Sequence, residues 1–218
     1  LVQDMGLVPG NRVLLHSPNT AMMVACWFGI VKAGGIVVAT MPLLRAKELK
    51  PILEIAKISH ALCDVGLAPE LQGAALESPG LGHIRYFNGS RSESLDVVMQ
   101  SRSTEFQNVD TAADDTCLIG FTSGTTGVPK ATMHFHRDVM AMCRGFAEQV
   151  LGITANDRCI GIAQPGHRCM GGAGTAGLKS LTLVGPLSTT LNAGTVLAIA
   201  AGLQAGSEHP LARAVLAA

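Results

Sequence analysis

A loop rich in hydroxyl groups and glycine concentrates the chemistry of this sequence. The segment from Phe121 to Lys130 supplies four hydroxyl side chains, two glycines and one lysine directly after an apolar run. Glycines let a backbone approach a ligand closely and turn its N–H groups inward, hydroxyls add donors without bulk, and a lysine adds a mobile positive charge. The sequence therefore favours a loop that binds polyphosphate.

An ordinary turn is the alternative, because clusters of Ser, Thr and Gly usually mark loops without a ligand. The context favours phosphate binding. An apolar strand is predicted before the loop, Pro129 and Lys130 end it, and a helix is predicted over about 137–150. The loop is not a Walker P-loop, because the Gly-Lys-Ser/Thr ending is absent.

The elements that position this loop alternate between strands and helices. Ser17 and Pro18 are predicted to cap an apolar helix that runs through Lys32, and residues 46–57 place Leu49 and Ile52 on one helical face. The polar segment 90–113 is predicted to be a surface loop. Apolar strands are predicted at 12–16, 36–39, 61–64, 83–87 and 116–121.

This alternation predicts the α/β class, with an open, mostly parallel sheet, flanking helices and a short helical tail. In such sheets ligands bind beyond the carboxyl ends of the strands. The loop after Phe121 would lie at that edge.

Composition excludes several classes of function. The 218 residues carry 16 basic and 16 acidic side chains, so no net charge recruits nucleic acid or an anionic membrane. Two uncharged runs, 13–31 and 180–207, are interrupted by polar residues and prolines, and neither predicts a membrane span. The segment that begins at Leu1 has no basic region typical of a signal peptide. We expect a cytoplasmic protein that contacts neither nucleic acid nor membrane.

Cysteine and histidine spacing predicts no metal site. The six cysteines form no C-x-x-C pair, which favours free thiols in a reducing compartment. His134 and His136 are two residues apart, but no third ligand follows at metal-site spacing. A helix-entry role is predicted for His136, and structural roles for His16 and His60.

The segment from Phe121 to Lys130 resembles the phosphate loop of the adenylate-forming acid–CoA ligases. The blocks 25–35, 41–49 and 131–138 are similar to aryl-CoA ligases, and among these to the 2-aminobenzoate–CoA ligases. The similarity extends over about residues 1–165. It implies the partial N-terminal domain of an adenylate-forming enzyme.

The resemblance implies a reaction in two steps. A carboxylate attacks the α-phosphate of ATP, bound with Mg²⁺, and the acyl-adenylate then passes to coenzyme A. The carboxylic acid, ATP and coenzyme A are thus the expected small-molecule partners. The residues expected to contact the β- and γ-phosphates of ATP are Thr122, Ser123, Gly124, Thr125, Thr126, Gly127 and Lys130.

The later motifs of that family are missing. Tyr86 is the only tyrosine, so the family's Tyr-Gly-x-Thr-Glu block is absent, and no catalytic residue is assigned. This predicts a truncated ligase, inactive as it stands. The segment 166–179 is predicted to be a Gly-rich joining segment after a boundary near Pro165.

Residues 180–218 resemble the nucleotide-binding domain of heavy-metal-transporting P-type ATPases, mainly at Ser207-Glu208-His209-Pro210. That resemblance implies that His209 contacts the adenine of ATP. Two alternatives to the truncated ligase stay open on this basis. One is a fragment of such a transporter, and the other is a non-catalytic nucleotide-binding remnant.

Overall fold

A six-stranded sheet forms the scaffold of the protein. The computed structural model describes residues 1–122, 129–150 and 152–154. The first five strands are parallel and the sixth is antiparallel to the fifth. In chain order the strands are β1 Arg12–His16, β2 Ile36–Thr40, β3 His60–Asp64, β4 His83–Phe87, β5 Thr116–Thr122 and β6 Lys130–Phe135.

The spatial order of the strands is β4-β3-β1-β2-β5-β6. Helices connect the parallel strands, and a 3₁₀ turn at Val65–Leu67 follows β3. The α-helices are α1 Val2–Met5, α2 Ala21–Lys32, α3 Ala46–Ile55, α4 Ala68–Ala75, α5 Leu95–Met99 and α6 His136–Met142. The predicted fold class, an open and mostly parallel α/β sheet with flanking helices, is confirmed.

Alternation along the central strands builds a core on each face of the sheet. In β1, Val13 and Leu15 pack with Met23 and Ile30 of α2, whereas Leu14 faces the opposite layer. That second layer contains α3 and α4. Strands covered on both faces need continuous apolar sequence, which is why β1 shows no polar alternation.

The helix after β1 begins later than predicted. Its N-cap is Thr20, whose side-chain oxygen accepts a hydrogen bond from the Met23 N–H at 3.2 Å. Ser17 is instead fully buried, and its hydroxyl donates to the Pro18 carbonyl. The predicted cap at Ser17 was therefore wrong. The Thr20 hydroxyl, three residues before Met23, is the group placed to accept a hydrogen bond from a backbone N–H of the first turn.

Two other elements differ from the predictions. The segment 90–113 contains the short helix α5 and is not loop throughout. Strand β6 was missed because its residues, four of them exposed, lack the apolar pattern of a core strand. The helix predicted over about 137–150 is α6 followed by a π-helical segment, Cys143–Val150.

The described residues fall into two compact units. The first covers residues 1–141 and holds the whole sheet. The second begins at Met142 and, among described residues, includes the π-helical segment. No helix in the described ranges combines the length and the apolar character needed to cross a membrane. The boundary near Pro165, the joining segment 166–179 and the tail 180–218 lie outside the described residues and stay predictions.

Candidate functional site

The carboxyl end of β5 leads into the hairpin that contains the predicted phosphate loop. Cys117, Leu118 and Ile119 are buried and anchor β5 in the sheet. Antiparallel pairing with β6 places Thr122 directly opposite Lys130. Residues opposite each other on neighbouring strands project their side chains to the same face. The first and last of the predicted phosphate contacts are therefore brought together.

Lys130 is available for an anionic ligand. Its side chain is exposed, and within the described part of the chain its ammonium makes no hydrogen bond or ion pair. Thr122 is half-buried beside it. A hydroxyl and an unpaired ammonium at one hairpin mouth can bind the oxygen atoms of a phosphate group.

Contacts between β5 and β6 hold the hairpin in register. The Thr132 hydroxyl donates to the Gly120 carbonyl at 3.2 Å. At the far end of β6 the Phe135 N–H donates to the Asp138 carboxylate at 3.0 Å, and Arg137 lies over the Phe135 ring, 5.1 Å from its centroid. These contacts position Lys130 through its strand and do not use its side chain.

The start of α3 also lies after the carboxyl end of a parallel strand, but protein carboxylates already occupy it. The Arg45 N–H donates to Glu48 at 3.0 Å, and the Ala46 N–H donates to Glu70 at 2.9 Å. The hydrogen bonds from the Ala46 N–H and from the Arg45 side chain lower the pKa of the Glu70 carboxyl. Two carboxylates at this helix start disfavour an added anion there.

A buried histidine lies at the same edge of the sheet. His16 ends β1 and Thr40 ends β2, and His16 Nδ1 lies 2.8 Å from Thr40 Oγ1. Burial lowers the pKa of His16 to about 4, so its imidazole is neutral at pH 7. Its Nε2 has no hydrogen-bond partner among the described residues. The structural role predicted for His16 did not include this pairing, which only the register of β1 and β2 shows.

His60 and His136 have structural roles among the described residues. His60 Nε2 donates to the Met5 carbonyl at 2.9 Å and His60 Nδ1 lies 2.8 Å from the Ser59 hydroxyl, so both ring nitrogens are satisfied. His136 begins α6, in agreement with a helix-entry role. Across the described ranges no three His, Cys, Asp or Glu side chains group as metal ligands do.

The residues between Thr122 and Lys130 that were predicted to contact phosphate are not described by the structure. Ser123, Gly124, Thr125, Thr126 and Gly127 lie outside the described residues, as does His209. Their assignments to phosphate and adenine stay predictions.

Comparison with known proteins decides the family. The model of the AMP-binding enzyme family matches residues 1–178, which is most of the chain. The chain belongs to the AMP-binding enzyme family. Its resemblance to adenylate-forming ligases, seen first in the loop ending at Lys130, is thereby confirmed.

Relatives of this AMP-binding chain include two aryl-CoA ligases. A benzoate–CoA ligase of Thauera aromatica is 28% identical over 153 residues, covering 70% of this chain and 29% of the relative. An anthranilate–CoA ligase of Pseudomonas aeruginosa is 29% identical over 167 residues, covering 72% and 30%. This chain thus spans about 30% of the length of the curated relatives it matches.

A solved structure shares the fold. The anthranilate CoA ligase AuaEII, in complex with anthranoyl-AMP, superposes with a TM-score of 0.63 at 28% identity. The match covers 68% of this chain and 28% of that one. The six-stranded sheet therefore corresponds to part of a larger ligase.

Proposed function

We propose that this chain is the N-terminal part of an ATP-dependent acid–CoA ligase, and that the β5–β6 hairpin binds the pyrophosphate portion of ATP. The observation that carries the proposal is the pairing of Thr122 with Lys130 at the hairpin mouth, where the lysine ammonium is unpaired within the described residues. Positive charge and hydroxyl donors at this position stabilise the negative charge that develops on the leaving pyrophosphate.

The substrate class follows from the relatives. Both aryl-CoA ligases named above act on aromatic acids, as their names state, so we propose an aromatic carboxylic acid, MgATP and coenzyme A as the substrates of the complete enzyme. Magnesium would enter with ATP, since the described residues offer no ligand cluster of their own. We propose the cytoplasm as the compartment.

We further propose that these 218 residues bind phosphate without forming an adenylate. Attack on the α-phosphate requires groups that orient the ribose and the acyl carboxylate, and the Tyr-Gly-x-Thr-Glu block that family resemblance would require is missing. The chain would then act as a nucleotide-binding portion of a ligase.

Titration calorimetry with pyrophosphate tests the hairpin site. Lys130→Ala removes a charged hydrogen-bond donor, so we expect the dissociation constant to rise by about tenfold or more. Lys32→Ala is the matched control, because Lys32 is an exposed lysine at the end of α2, on the opposite edge of the sheet. Equal pyrophosphate affinity in the wild type and Lys130→Ala would overturn the hairpin assignment.

Exchange of labelled pyrophosphate into ATP tests the absence of adenylate formation. With benzoate or 2-aminobenzoate present, we expect no acid-dependent exchange by the 218-residue chain. Exchange that depends on either acid would show that the chain activates carboxylates, which contradicts the proposed role.

A further inference from the structure

A cavity of about 340 Å³ lies at the edge of the sheet opposite the hairpin mouth. It is formed where α3 ends before β3 and where the turn after α4 ends before β4. Its volume is at the lower end of the range of about 300–1,000 Å³ that is usual for small-molecule sites. The residues used below are Leu53, Glu54, Lys57, Glu77, Ser78 and Leu81, all of which line it.

The inner wall of the cavity is apolar. Leu53 is 3% exposed and Leu81 is 9% exposed, so both belong to the core beneath the cavity. Pro79 lies at the surface and adds an apolar ring to the wall. A ligand in this space would contact these side chains with a small apolar group.

The rim carries one ammonium and one carboxylate that are not tied up in hydrogen bonds or ion pairs among the described residues, although the Glu54 carboxylate interacts electrostatically with Lys50. In the part of the chain that the structure describes, the exposed side chains of Lys57 and Glu54 make no hydrogen bond or ion pair. Lys57 is also held at φ 49°, a left-handed conformation that a non-glycine residue rarely adopts. Glu54 lies in the last turn of α3 and Lys57 follows the C-cap residue Ala56, and both residues line the cavity.

The third charged residue of the rim, Glu77, is neutralised by Lys50, which is not among the residues that line the cavity. Glu77 is paired with Lys50, and this ion pair lowers the pKa of the Glu77 carboxyl. A simple anion at the rim would meet the Glu54 and Glu77 carboxylates, and a simple cation would meet the Lys57 ammonium. A zwitterion is matched to both Lys57 and Glu54.

A buried hydroxyl supplies one further donor. Ser78 is 4% exposed, and its Oγ has no hydrogen-bond partner among the described residues. A buried hydroxyl without a partner is destabilising, and rotation about its Cα–Cβ bond can direct it to a ligand oxygen. The cavity thus combines apolar contact, two opposite charges and an unused donor.

We propose that this cavity binds a small apolar amino acid as its zwitterion, with the carboxylate at Lys57 and Ser78, the ammonium at Glu54, and the side chain against Leu53 and Leu81. This site goes beyond the proposed ligase function. It lies on the opposite edge of the sheet from Thr122 and Lys130 and uses none of the phosphate-binding residues.

Ligand-detected NMR on the full 218-residue chain tests the proposal, with L-valine as the probe. Isovalerate, which lacks the ammonium group, and isobutylamine, which lacks the carboxylate, are the matched analogues. We expect valine to bind at millimolar concentration, and each analogue to bind at least about twofold more weakly, as an exposed ion pair contributes little by itself. The proposal is overturned if isovalerate or isobutylamine binds as tightly as valine. It is also overturned if valine does not bind.

Variants separate this site from structural effects. Glu54→Gln and Lys57→Gln keep side-chain size, and each is expected to weaken valine binding by about two- to fivefold. Lys47→Gln, an exposed lysine elsewhere on α3, is the control and should bind valine as the wild type does. Unchanged valine affinity in both Glu54→Gln and Lys57→Gln would overturn the site.

Ser78→Ala adds a second readout. Removal of an unsatisfied hydroxyl should leave the thermal midpoint of the free chain equal or higher, while valine affinity falls. A lower midpoint with unchanged valine affinity would show that Ser78 is structural only and would overturn its role. Pyrophosphate titration of the same variants should be unaffected, so failure of this proposal is distinguishable from failure of the hairpin assignment.

Discussion

His16 and Thr40 join the carboxyl ends of two adjacent parallel strands through a buried hydrogen bond, with 2.8 Å between Nδ1 and Oγ1. Neither side chain is more than 2% exposed. The imidazole is neutral at pH 7 because burial lowers its pKa to about 4. The edge that leads to the β5–β6 hairpin thus contains a buried group sensitive to acid.

Stability should fall as the pH is lowered from about 6.5 to about 4. In this window the unfolded chain protonates His16, whereas the folded chain keeps it neutral, so the unfolded state binds more protons. A pKa shift of this size corresponds to a change of about 3 kcal/mol in the free energy of unfolding. Urea unfolding of the wild type at several pH values measures this decrease in the free energy of unfolding.

His16→Gln is the control for that measurement, because glutamine does not titrate. Burial also lowers the pKa of His60, and that residue contributes in the same direction in both proteins. The wild type should therefore lose more stability than His16→Gln between pH 6.5 and pH 4. Parallel pH profiles for the two proteins would show that His16 is not the titrating group.

Loss of the α2 cap should destabilise the first unit. Thr20 accepts a hydrogen bond from the Met23 N–H, and removing such a cap costs about 1 kcal/mol. We expect Thr20→Ala to lower the free energy of unfolding by about that amount in urea titrations. Thr20→Ser keeps the oxygen and should remain close to the wild type. If Thr20→Ser lowers the free energy of unfolding as much as Thr20→Ala does, loss of the cap is not the cause of the destabilisation.

Gly34 should not tolerate a side chain. Its φ is +74°, and an added Cβ would lie 3.0 Å from Val109 and 3.1 Å from Pro9. We expect Gly34→Ala to cost at least about 1–2 kcal/mol, since an L-residue is strained in this conformation. Gly82→Ala is the matched control, because Gly82 has open space and an ordinary φ. Equal thermal midpoints for the two variants would contradict this explanation.

Cysteine alkylation should follow burial. Cys143 is exposed, whereas burial raises the pKa of the Cys26 and Cys63 thiols to about 12 each. The thiolate is the reactive form, so iodoacetamide at pH 8 should modify Cys143 well before the two buried thiols. Peptide mass mapping over time measures the rates. Modification of Cys26 at the rate of Cys143 in folded protein would refute the burial of Cys26.

Two of the parallel strands, the central β1 and the edge strand β4, could be predicted closely from the sequence. The ranges 12–16 and 83–87 coincide with β1 and β4, because short apolar or β-branched runs bounded by turn residues specify strands locally. Thr122 and Lys130 were predicted from their residue types to contact phosphate, and that role stays a prediction. The family resemblance came from the same segment.

Other features depend on contacts between distant residues. Strand β6 is mostly exposed and gains its strand conformation from pairing with β5, a contact its own pattern does not indicate. Thr20 rather than Ser17 caps α2. Strand β1 extends to His16 and pairs with β2, and Ser17, the next residue, is buried at the end of the strand. Local propensity cannot report such pairings.

Residue types and spacing alone determined the α/β class and the neutral charge balance, and they predicted a phosphate-binding role for the segment from Phe121 to Lys130. Only the tertiary structure set Lys130 opposite Thr122, joined His16 to Thr40, and placed a cavity between the ends of α3 and α4. The physical reason is that strand register and helix packing are decided by side chains far apart in sequence, which meet only when the sheet has formed.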